Sequence, residues 1–136
     1  MLSPSAATIR IFLHVLAASV WVGGQLTLAG LVPPLRRSHP QALTTAAQAF
    51  ARVAWPAFAI TVLTGMWNLM AVDITEASSA YQATVLLKIA LAILSGVFAA
   101  VHTVGKTKVA LAVGGALGLL TSLAAMFLGV LLHTGA

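Results

Sequence analysis

Four apolar runs, each of more than about 20 residues, follow one another with only three short breaks between them. Nothing constrains the fold more. A transmembrane helix needs roughly 20 apolar residues, so four spans and their loops consume the 136 residues. Charge supports this reading. Only 7% of the residues are charged, against about 25% in an ordinary soluble domain. The sequence predicts an all-α, integral membrane four-helix bundle in a single domain, running up-down-up-down.

The predicted spans are 9–32, 46–72, 81–104 and 109–133. The first run, from Ile11 to Val32, exceeds the roughly 7–15 residues of a signal-peptide core and is read as a retained span. Pro33 and Pro34 are expected to stop helix one, because proline lacks the N–H and clashes with the preceding turn. Helix two is expected to begin at Gln41 with an amphipathic stretch holding Gln48 and Arg52, and Pro56 invites a kink.

The formal charge of +5 would suggest nucleic acid in a soluble protein. Here the basic residues sit in loops and at helix ends, so topology explains them and no nucleic-acid partner is expected. Arg36, Arg37, Lys106 and Lys108 fall in the first and third loops. The second loop has no Lys or Arg and holds the two acids of the sequence, Asp73 and Glu76. The positive-inside rule puts the first and third loops in the cytoplasm and both termini on the outer side of an inner (cytoplasmic) membrane. Arg10 runs against this assignment, and Arg52 supports it.

Polar residues inside spans are costly and should face the bundle or a cavity. They form one stripe per helix. His14, Ala18, Trp21 and Gln25 share a face of helix one. Thr61, Thr64, Gly65 and Asn68 share one on helix two, and Lys88, Ser95, Ala99 and His102 one on helix three. Helix four has Gly115, Gly118, Ser122, Met126, Gly129 and His133. Small and hydroxyl residues at this spacing ordinarily form helix-packing seams. That reading does not cover His14 or Lys88. Lys88 starts seven residues in from Tyr81, roughly 10 Å, so it either snorkels to the outer headgroups or faces inward with a function.

With the termini outside, His14, Lys88, His133, Trp67 and Asn68 are all expected in the outer half. His102 lies roughly 21 Å deeper than Lys88, and His39 is in a loop. Neutral imidazole binds iron, copper and zinc. Facing ligands could clamp a haem iron, with His14 on one side and Lys88 or His133 on the other. Ala17, Ala18 and Gly129 would leave room for the macrocycle, Phe12 and Leu132 would cover it, and Arg10 and Lys88 could pair with its propionates. Met66, Met70 and Met126 could instead serve Cu(I), or simply fill a core. No buried carboxylate, phosphate loop or catalytic triad suggests hydrolysis. With no cysteine there is no thiolate ligand, nucleophile or disulfide.

The segment from His14 to Gly24, HVLAASVWVGG, resembles the first helix of copper-resistance D (CopD) domain membrane proteins. Leu87-Lys88-Ile89-Ala90-Leu91 followed by His102 resembles their third helix. The same positions are similar to HemJ-type protoporphyrinogen oxidases, which pair a first-helix histidine with a third-helix lysine and bind haem b. In those terms His14 and Lys88 match the haem positions, whereas Trp21-Val22-Gly23-Gly24 follows the CopD pattern. The resemblance implies haem binding or copper handling.

The leading expectation is a b-type haem-binding membrane protein for electron transfer, gas binding or redox sensing, with a small gas or a redox protein as its partner. The site residues would be His14, Lys88, His133, Trp67, Asn68 and Arg10. The alternatives are CopD-like copper uptake and a structural module without cofactor. A homodimer in the bilayer is also expected, with Gly114 and Gly118 forming a GxxxG pair on helix four.

Overall fold

The computed structural model describes residues 3–135, and every regular element among them is an α-helix. The helices are α1 (Ala6–Ser38), α2 (Pro40–Met70), α3 (Ser79–Val104) and α4 (Lys108–Thr134). Each is long and apolar enough to cross a bilayer. By length and composition this is a multi-pass membrane protein.

The starts of the helices follow local chemistry. Ser5 and Thr8 form a reciprocal capping box at α1. Ser78 caps α3 through the Tyr81 amide, and Thr107 caps α4 through the Ala110 amide. At α2, Pro40 occupies the first turn, where its missing N–H costs nothing. Arg36 and Arg37 lie in the last turn of α1, where positive charge suits the helix dipole.

The prolines do not end helix one as expected. The helix runs through Pro33 and Pro34 to Ser38, and His39 alone separates it from α2. The two missing donors would have reached the carbonyls of Ala29 and Gly30, and the space beside Gly30 is open. One turn later the backbone is satisfied again. The Ser38 hydroxyl donates to the Pro34 carbonyl at 2.9 Å, and the His39 amide donates to the Leu35 carbonyl at 2.8 Å. Pro56 likewise sits inside a continuous α2. The other boundaries fall within a few residues of expectation, with α2 starting at Pro40 against the expected Gln41.

The chain divides between Val72 and Asp73 into two compact units, each an antiparallel helical hairpin. In the first, positions rise along α1 as they fall along α2. Arg10 meets Asn68, His14 meets Thr64, and Trp21 meets Phe58. Trp21, Trp55 and Phe58 form an aromatic cluster with ring centroids 4.5 to 6.1 Å apart. Ala17, Val22, Ala54 and Ala57 are buried around this seam. Farther along, the Phe50 ring occupies the space that a side chain on Gly24 would need.

The second unit packs by a different device. Ser95 is 1% exposed, and its hydroxyl donates to the Gly118 carbonyl at 3.3 Å. A Cβ on Gly114 would come within 2.8 Å of the His102 amide nitrogen and 2.9 Å of the Phe98 carbonyl oxygen. The two backbones therefore nearly touch, and only glycine fits. Gly118, Ser122 and Ala125 continue the buried face. The Gly114–Gly118 pair thus packs α4 against α3 within this hairpin, and a homodimer would have to use another surface. At the start of the unit, the Gln82 amide donates to the carbonyls of Ile74 and Ala77 and holds the loop before α3.

Candidate functional site

The first hairpin gathers three of the expected residues along one seam. His14 stands on the α1 face that meets α2, one turn after Arg10 and two turns before Trp21. Its Nδ1 lies 3.0 Å from the Thr61 carbonyl oxygen and 3.0 Å from Thr64 Oγ1. The carbonyl can only accept, so Nδ1 carries the proton. The buried Thr64 hydroxyl donates to the Ile60 carbonyl at 2.6 Å, which leaves its oxygen to accept a share of the same Nδ1–H. In the neutral ring the lone pair is then on Nε2.

Space fixes the ring as well as bonding does. A Cβ on Gly65 would approach His14 Cε1 to 3.3 Å, so the glycine makes room for the imidazole edge. A hydrogen-bonded Nδ1–H with Nε2 as the basic nitrogen is the arrangement that orients metal-ligating histidines. The sequence placed Thr61, Thr64 and Gly65 on one stripe, but did not pair that stripe with His14.

Arg10 Nε donates to Asn68 Oδ1 at 2.6 Å and ties the first turns of α1 to the last turn of α2. Trp67, beside Asn68, is 45% exposed. The two methionines of the same stretch, Met66 and Met70, are exposed too.

Lys88 and His133 belong to the second hairpin. The Lys88 side chain crosses the seam to α4, where its Nζ lies 3.0 Å from the place a Cβ on Gly129 would take. Among the described residues none hydrogen-bonds this ammonium. His133 is exposed in the last turn of α4, one turn beyond Gly129. His14 and Arg10 thus stand in one compact unit, and Lys88 and His133 in the other. At the far end of the second hairpin, His102 Nδ1 bonds to the Leu111 carbonyl at 2.6 Å, and its ring lies over Gly115. That pair is a cap between helices. His39 is exposed and bonds to the Ser38 hydroxyl.

Outside the spans, Asp73 accepts hydrogen bonds from the Thr75 hydroxyl at 2.6 Å and the Thr75 amide at 3.1 Å. These bonds hold its carboxyl below the usual aspartate range. Among the described residues no three His, Cys, Asp or Glu gather to hold a bare metal ion. No protein-family model, curated protein or solved structure matches the chain.

Proposed function

We propose that this is a b-type haem-binding membrane protein, with His14 Nε2 as an axial ligand. The observation that carries the reading is the double anchorage of His14 Nδ1 on Thr61 and Thr64 across the hairpin. It fixes both the tautomer and the plane of an intramembrane imidazole, at a depth where an idle polar ring is costly. The donor set fits haem better than a bare ion. A porphyrin supplies four nitrogens of its own and asks the protein for one or two axial ligands. A closed zinc site asks for several converging donors, and no three His, Cys, Asp or Glu are gathered among the described residues.

In this reading Arg10, Trp67 and Asn68 line the same end of the first hairpin as His14, while Lys88 and His133 belong to the second hairpin. When bound, the haem would supply one-electron or gas-binding chemistry. The residues supply orientation: Thr61 and Thr64 hold the imidazole, and Gly65 leaves it room. The four spans cross the inner membrane up-down-up-down with both termini outside, and homodimerisation uses a face other than Gly114–Gly118. The likeness of His14 and Lys88 to the HemJ-type positions points the same way. The copper reading rests on the exposed Met66 and Met70 and on the CopD-like opening of α1.

An absorption spectrum of the detergent-purified protein, loaded with haem and taken oxidised and reduced, tests the proposal. A Soret band with sharp reduced bands is expected. Tight copper binding without any Soret band would transfer the site to the alternative.

A further inference from the structure

Arg10 is held by one edge only. Its Nε–H is bonded to Asn68, which sets the plane of the guanidinium, and the two terminal nitrogens carry four more donors. No other hydrogen bond or ion pair engages Arg10 among the described residues. The side chain is half-buried. Its own unit offers no counter-charge. The two acids of the sequence, Asp73 and Glu76, both lie beyond the boundary at Val72. Arg10 is also only four residues into α1, about 6 Å from its start, where a span meets the headgroup layer.

We infer that Arg10, aimed by Asn68, is a clamp for an oxyanion, a carboxylate or a phosphate, at the open end of the first hairpin. A planar fork with one edge tied back presents its remaining edge to two oxygens at once. A snorkelling arginine would need no such tie, and lysine would serve as well. The anion is either a propionate of the ligand of His14, which rests on the proposed haem binding, or the phosphate of an acidic lipid, which does not.

The test uses the full chain in lipid nanodiscs as wild type, Arg10→Lys and Asn68→Asp. Asn68→Asp keeps an acceptor at the same place, so it preserves the tie between helices while cancelling the charge. Helicity and gel-filtration profile confirm that each variant is folded. One arm titrates haem against haem dimethyl ester. The other counts phosphatidylglycerol against phosphatidylcholine retained in native mass spectra. The wild type should favour the anionic member of at least one pair by about tenfold, and both variants should lose that preference. Loss in the haem arm identifies a propionate, and loss in the lipid arm a phosphate. Absence of any preference in the wild type, or its retention in either variant, overturns the clamp. If the wild type binds no haem at all, the haem proposal fails while the lipid arm still decides this one.

Discussion

The two hairpins share an antiparallel course, but they are joined by different means. The first is held by large and polar side chains: Trp21 against Trp55 and Phe58, His14 on Thr61 and Thr64, Arg10 on Asn68. The second is held by near contact of backbones at Gly114 and a serine–carbonyl bond at Ser95. In a bilayer apolar burial gives little drive between helices, so packing and hydrogen bonds must do the joining. A seam of small residues does that with no chemistry to spare. A seam of side chains leaves room for a ring whose nitrogen can work, and that is where the oriented histidine lies.

The sharpest way to break this contrast is to remove the aromatic centre of the first hairpin. Trp21→Ala should cost about 3–5 kcal/mol in detergent unfolding, the range for a large core side chain. A cost under about 1 kcal/mol would mean that the seam is not built on the aromatics. The corresponding break in the second hairpin is Gly114→Val. Its added atoms would meet the His102 amide and the Phe98 carbonyl, and about 1–3 kcal/mol should be lost, read as a lower unfolding midpoint. Tolerance of valine there would show that the backbones are not in contact.

A finer change sharpens the role of the polar seam. Thr64→Val removes one of the two acceptors of His14 and leaves the Thr61 carbonyl. We expect a loss of about 1 kcal/mol and a small shift of the reduced haem spectrum, since the ring keeps its tautomer but not its full restraint. An unchanged spectrum would assign Thr64 to packing alone.

Much of this was legible in the sequence, and the misses have physical causes. Hydropathy placed four spans because each is continuous. The prolines misled because a rule about lost donors does not say whether the helix can close again one turn later, as it does at Ser38 and His39. The stripes through His14 and Thr64 were visible separately. Their pairing was not, because register between helices leaves no trace in spacing along either one. Trp55, Phe58 and Phe50 were missed for the same reason. The GxxxG pair was visible as a packing motif, but not which helix it packs against.

The smallest expected effect lies in the loop before α3. The folded-state pKa of Asp73 is depressed by Thr75, so its stabilisation is present above the pH at which the unfolded aspartate titrates. It is lost as pH falls through the lower folded value. Thr75→Ala should return the Asp73 titration, followed by NMR, toward the ordinary aspartate range. A midpoint unmoved by the substitution would reject Thr75 as the cause.

Haem titration of His14→Gly, with and without added imidazole, decides whether His14 is an oriented ligand. The Soret band should be lost or strongly shifted in the variant and restored by imidazole, while His102→Ala keeps the wild-type spectrum. A wild-type spectrum that survives in His14→Gly, or a wild-type protein that takes up no haem, would contradict it.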